Sequence, residues 1–170
     1  TPTGRYPLSS HCYSPGVVSP DSRGNLVRFD PDPWPTWRLR APDGTELIQE
    51  ILIPRGHAAT LITWRLVEPT AEAYLAVRPL LSGRDVHALH RENEVFDFEP
   101  EEEGDWIRWV PYPGLPGIAL GANATYGHEP EWYRDFRYEQ DLSRGYDYEE
   151  DLASPGQLTW DLEKGDAVLI

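Results

Sequence analysis

The sequence predicts an all-β fold: an antiparallel β-sandwich with a few short helical turns. Three observations predict it. Short segments alternate apolar and polar side chains and are rich in Val, Ile, Thr, Tyr and Trp, the residues that suit a pleated, half-buried surface. Pro at 17 and Gly at 14 punctuate the chain every few residues, which fits short strands and many turns and leaves little room for long helices. No strand–helix–strand alternation and no phosphate-cradling Gly loop occur, which argues against a parallel doubly wound sheet. A chain of 170 residues fits one domain, residues 1–170, with a sizeable core.

Taken in order, residues 1–25 are mostly polar, with turns at Ser14-Pro15-Gly16 and Ser22-Arg23-Gly24-Asn25. Leu26–Phe29 reads as a short strand. Asp30-Pro31-Asp32-Pro33-Trp34-Pro35 must be extended, because a residue before Pro is pushed out of the helical region. Thr36–Arg40 alternates as a strand, Pro42-Asp43-Gly44 turns, and Glu46–Ile53 alternates again. Thr60–Val67 and Ala73–Val77 complete an antiparallel meander. Val95–Phe98 reads as a further strand. The acidic run Glu99–Asp105 reads as a solvated hairpin tip, since adjacent carboxylates repel; it lacks the alternate-position spacing of a calcium loop. Trp106–Val110 and Ile118–Leu120 are strands, with Tyr112–Gly117 turning between them. Trp132–Tyr138 is extended. Glu139–Ser143 predicts one helical turn closed by Gly145 in the left-handed region, and Asp147–Ala153 a second one ended by Pro155-Gly156. Gln157–Leu162 and Asp166–Ile170 form a final hairpin around Lys164-Gly165.

The formal net charge is −14. It argues against nucleic acid and against an anionic membrane surface, which would meet a like-charged protein. It is compatible with a neutral partner such as a polysaccharide, or simply with solubility. One cysteine, Cys12, excludes an internal disulfide and favours a reducing, cytoplasmic setting. No apolar run is long enough for a transmembrane helix. The chain contains no Met and begins Thr1-Pro2-Thr3, so it reads as a piece of a longer protein.

The densest chemistry follows the strand Ala73–Val77: Arg78, Arg84, Asp85, His87, His90, Arg91, Glu92 and Asn93 lie within a few residues. Such a set either lines a site or ties down a loop. Arg78 suits a sugar hydroxyl or carboxylate, and equally an ion pair with Asp85 or another nearby carboxylate. His87 and His90 have the spacing of two ligands on a helical turn, but no third ligand stands at recognisable spacing, so no metal is assigned; His87 donating to a backbone carbonyl is the plainer reading. Among 7 Trp, Trp132 beside Tyr133 in a polar segment is the candidate platform for the apolar face of a sugar. The others sit in strand patterns and fill the core. No carboxyl pair is singled out for catalysis and no cofactor is indicated.

Three stretches carry a resemblance: Arg78-Pro79-Leu80-Leu81 through Arg84-Asp85, His87, Leu89 and Glu92-Asn93; Tyr112-Pro113-Gly114-Leu115-Pro116; and Trp132–Tyr138 followed by Arg144–Gly156. Together they resemble the N-terminal domain of bacterial and archaeal glycogen debranching enzymes, the amylo-α-1,6-glucosidase type. The resemblance implies a supersandwich-type β domain ahead of a separate catalytic barrel. It implies a non-catalytic role for this chain: positioning branched α-glucan, glycogen or maltooligosaccharide, and packing against the C-terminal catalytic domain. By matching position it carries Arg78, Arg84, Asp85, His87, Glu92 and Asn93 over as residues near that interface. The alternatives are a purely structural interdomain sandwich, and a mutarotase- or epimerase-like sugar enzyme of similar fold, which would need a His base and an acid converging in a pocket.

Overall fold

The computed structural model describes residues 1–170. The first strands are β1 (Cys12–Tyr13) and β2 (Val17–Val18); then, after a 3-10 turn, come β3 (Leu26–Asp30), β4 (Thr36–Arg40), β5 (Glu46–Leu52), β6 (Leu61–Leu66) and β7 (Tyr74–Val77). The second half holds β8 (Glu101–Glu103), β9 (Trp106–Trp109), β10 (Ile118–Gly121), β11 (Thr125–Arg137), α1 (Glu139–Arg144), β12 (Glu149–Asp161) and β13 (Ala167–Leu169). The strands form three antiparallel sheets in the orders β2-β1-β11-β12-β7, β13-β6-β5-β4-β3 and β10-β9-β8. No helix is long and apolar enough to cross a membrane.

The all-β expectation holds, and β3 to β6 form the expected meander in register. The alternation of β5 puts Leu47 inward beside Leu39 of β4 and Leu66 of β6. The core lies between the two large sheets, where Trp64 of β6 meets Trp160 of β12 with ring centroids 5.8 Å apart. Neither indole buries an orphan donor: Trp64 Nε1 donates to Gln49 Oε1 and Trp160 Nε1 to Asn123 Oδ1. Leu47, Leu75, Trp109, Leu120 and Leu158 complete the cluster. Helix α1 ends as expected, with Gly145 at φ 77° and the Tyr146 N–H returning to Asp141 O.

Five expectations are corrected. The last strand of the meander, β7, leaves it and pairs with β12 in the other large sheet. Val95–Phe98 is not a strand; it is a loop whose Phe96 side chain is buried. The acidic run is not all tip, since Glu101–Glu103 form β8 and only Gly104-Asp105 turn. The second helical turn does not exist: its residues begin β12, and β13 does not fold back on β12 but pairs with β6. Pro155 survives inside β12 because β11 bulges opposite it between His128 and Glu131, where the ladder is interrupted.

Candidate functional site

Strand β12 starts with three acids, Glu149-Glu150-Asp151, and two of them are buried. A buried carboxylate is tolerable only if the fold supplies its donors. For Glu150 it does. Arg84 grips it bidentately, Nε to Oε2 at 2.6 Å and Nη2 to Oε1 at 3.0 Å. The His90 N–H donates to Oε2 at 3.1 Å and the Tyr138 hydroxyl donates to Oε1. Burial pushes the Glu150 pKa up, but the Arg84, Tyr138 and His90 hydrogen bonds outweigh it and hold the carboxyl below its ordinary value. Burial, then the bond to Glu150, pushes the Tyr138 phenol up, so it stays a donor.

Asp151 works the same way with backbone donors. Its Oδ2 accepts the Glu92 N–H and its Oδ1 the Asp135 N–H, both at 2.9 Å. Asp135 sits at φ 62° in a bulge of β11, an uncommon backbone for a non-glycine residue, and this bond helps hold it there. Leu81 pairs with Ala153 through two backbone hydrogen bonds. The loop from Leu81 to Asn93 is thus laid along the first half of β12 as a substitute strand.

A second chain of bonds runs outward. Carbonyls only accept, so His90 Nδ1, 3.0 Å from Asp151 O, carries its proton. Nε2 then accepts from the Tyr112 hydroxyl at 2.7 Å, and that hydroxyl accepts from Asn93 Nδ2 at 2.6 Å. Asn93 Oδ1 takes the Val95 and Phe96 N–H groups. Tyr112 packs so closely on Gly83 that a Cβ there would lie 2.6 Å from its ring.

Each expected residue has a place. Arg84, His90, Glu92 and Asn93 are brought together around Glu150 and Asp151. Arg78 pairs with Glu129 across the sheet, not with Asp85. Asp85 caps the turn by accepting the His87 N–H at 2.8 Å. The His87 side chain is exposed and donates to no carbonyl; His90 makes that bond instead. Glu92 pairs with Arg134. Trp132 is half-buried in an aromatic cluster, 5.2 Å from both His90 and Phe96 and 5.7 Å from Phe98. Tyr133 is half-buried too, and burial raises its pKa against the opposing charge of Arg78. Glu150, Asp151, Tyr112 and Tyr138, the centre of the network, all lie in the stretches that carry the family resemblance, but the sequence does not single them out as site residues. Three consecutive acids, Glu149-Glu150-Asp151, are the available signal, masked by their reading as a helical turn. No group of three or more His, Cys, Asp or Glu side chains gathers as a metal site.

Fold and site together define an antiparallel β-sandwich domain whose long polar loop is bolted to a central strand through buried, fully hydrogen-bonded carboxylates. A family model described as glycogen debranching enzyme N terminal matches residues 2–169, and the chain belongs to that family. No curated protein and no solved structure matches it.

Proposed function

We propose that this chain is the non-catalytic N-terminal domain of a cytoplasmic glycogen debranching enzyme. It forms one sandwich domain, needs no cofactor, holds branched α-glucan and packs against a C-terminal α-1,6-glucosidase domain of the same polypeptide. The family match over residues 2–169 carries this reading. The site supports it. Glycoside hydrolysis wants a proton-donating acid facing a second carboxylate, whereas Glu150 is held ionised and both its oxygens are occupied. An epimerase would want a His base and an acid converging in a pocket; the candidate His87 is exposed with no acid paired to its ring, and both ring nitrogens of His90 are engaged. The outer side of the bolted loop exposes Val86 at 79% and Val95 at 67% among Asp85, His87, Arg91 and Glu94, a mixed apolar and charged surface that fits a domain contact. Two exposed Trp, Trp34 at 38% and Trp106 at 46%, favour glucan contact over a purely structural role.

The test is a titration of the chain with glycogen and maltooligosaccharides, following intrinsic Trp fluorescence. Saturable quenching is the expected result. A folded sample that shows none leaves the structural interdomain reading and removes the glucan part. For the domain contact, Val86→Asp with Val95→Asp in the full-length enzyme lowers activity while leaving the folding of this domain unchanged; unaltered activity removes that part.

A further inference from the structure

A cleft of about 240 Å³ opens between the β8–β9 hairpin and the large sheet, lined by Trp106, Ile107, Tyr126 and Leu158 with Glu102 and Asp105. None of the residues bolted around Glu150 reaches it. Trp106 is the most exposed indole of the chain at 46%, yet it does not swing freely. Its ring lies on Gly121, where a Cβ would come within 3.1 Å of it. Tyr126 is fixed as well: its hydroxyl donates to Pro155 O at 3.0 Å, and its ring covers Gly156, where a Cβ would fall 2.8 Å from the ring. Two aromatic side chains are therefore held in place by glycines beneath them.

The polar groups at the cleft are unspent. In the same hairpin Glu101 pairs with Arg108, whereas the Glu102 and Asp105 carboxylates have no hydrogen-bond or ion-pair partner. Free carboxylates are strong acceptors for hydroxyl groups, and aromatic faces suit an apolar C–H surface. The volume lies below the roughly 300–1,000 Å³ of pockets for drug-sized ligands, which fits one sugar ring better than a chain of them. A wider groove of about 500 Å³ beside β1 and α1 differs on this point. There Arg137, Tyr138 and Glu139 are already bonded within the fold.

We propose that the Trp106 cleft binds one glucose unit at the end of an α-glucan branch. Trp106 and Tyr126 contact the apolar surface of the ring, and Glu102 and Asp105 accept from its hydroxyls. The proposal rests on the glucan-holding reading above and names where that contact is made.

The test is an NMR titration of the chain with maltotriose, repeated for Trp106→Ala, Glu102→Gln and Asp105→Asn. Near-ultraviolet circular dichroism and the urea midpoint check that each variant is folded. Tetramethylammonium serves as a competitor, because an acidic aromatic cleft also attracts cations. The expected result is saturable binding that weakens tenfold or more in Trp106→Ala and at least threefold in each carboxamide variant, with no displacement by tetramethylammonium. Maltotriose binding unchanged in the folded variants overturns the cleft and leaves the glucan-holding reading standing. Displacement by tetramethylammonium at equal concentration overturns the choice of a sugar. If the unaltered chain binds neither maltotriose nor glycogen, both readings fall.

Discussion

Glu150 and Asp151 on β12 and Glu102 and Asp105 on the β8–β9 hairpin are two carboxylate pairs set beside aromatic rings, and they are used in opposite ways. The first pair is buried, with side chains 2% and 9% exposed. Every oxygen there has a donor from Arg84, Tyr138, His90, Glu92 or Asp135. The second pair is exposed and has none. Acid composition alone does not separate them, since the chain carries 29 Asp and Glu. What separates them is whether the fold has already spent their acceptor capacity. A spent carboxylate is a bolt; an unspent one beside a fixed indole is available to a ligand.

The sharpest break in this comparison is Glu150→Ala. It leaves the Arg84 guanidinium facing a buried void and the Tyr138 hydroxyl without its acceptor. Removing one partner of a buried pair costs about 3–5 kcal/mol; Arg84 is 24% exposed, so the lower end is expected. Urea unfolding measures it. The double variant Glu150→Leu with Arg84→Met recovers the part of the loss due to the unmatched charge, but not the part due to the Tyr138 hydroxyl and the His90 N–H, which stay without an acceptor. A double variant as unstable as the single one would mean that the position matters for shape and not for charge.

Gly83→Ala acts on the same bolt from the other side. The added methyl would sit 2.6–2.7 Å from the Tyr112 ring, so the ring must move and its bonds to His90 and Asn93 stretch. Overpacking of this kind costs about 1–3 kcal/mol. Gly83→Ala with Tyr112→Leu separates the clash from the lost hydroxyl. Relief of the clash alone would return only part of the stability.

Acidity tests the charge state. The native pKa of Glu150 is lowered from 4.5, so its contribution to stability is fully present above the unfolded value and is lost as pH falls through the folded one. Glu150→Gln removes that titration. The stability gap between the native chain and Glu150→Gln, read from urea midpoints, therefore narrows as pH drops below about 4.5. A gap constant with pH would show that Glu150 is not ionised in the fold.

Much of the fold was legible because its strands are short and half-buried. Thr36–Arg40, Glu46–Leu52 and Leu61–Leu66 alternate cleanly, and Pro42-Asp43-Gly44 marks its own turn. Local pattern does not say which sheet a strand joins. That is why β7 and β13 were placed with their sequence neighbours when packing assigns them across the sandwich. The second half of β12 is legible as Gln157–Leu162, but its first half is hidden for another reason: it is covered on both faces, so it lacks alternation, and Glu149-Glu150-Asp151 ahead of Pro155-Gly156 imitates a capped helical turn. The site followed suit. The loop residues Arg84, His90, Glu92 and Asn93 stood out by density, whereas the acids that hold the first three lie about 60 residues away in sequence and Tyr112, which holds Asn93, lies 19 away. Trp106 looked like a core residue because β9 is a good strand; its exposure is decided by the end of the small sheet, which no local signal encodes.

The smallest expected effect lies on the hairpin itself, at Glu101. Its ion pair with Arg108 joins side chains 64% and 52% exposed. Water screens such a pair and side-chain entropy opposes it, so exposed pairs contribute about 0–1 kcal/mol. The two residues stand directly opposite one another on β8 and β9, so the contact is a genuine cross-strand pair, but its exposure keeps it in the lower half of that range. Strand β8 is three residues long and wholly exposed, so little else depends on it. Glu101→Gln should therefore shift the urea midpoint by an amount equivalent to less than about 0.5 kcal/mol and leave the maltotriose affinity unchanged. The comparison makes this informative. Glu101 is a spent carboxylate next to the unspent Glu102 on the same strand. A Glu101→Gln variant that binds sugar as weakly as Glu102→Gln would mean that the hairpin acts through its total charge, and the distinction between spent and unspent acids would fail at the place where it is most finely drawn.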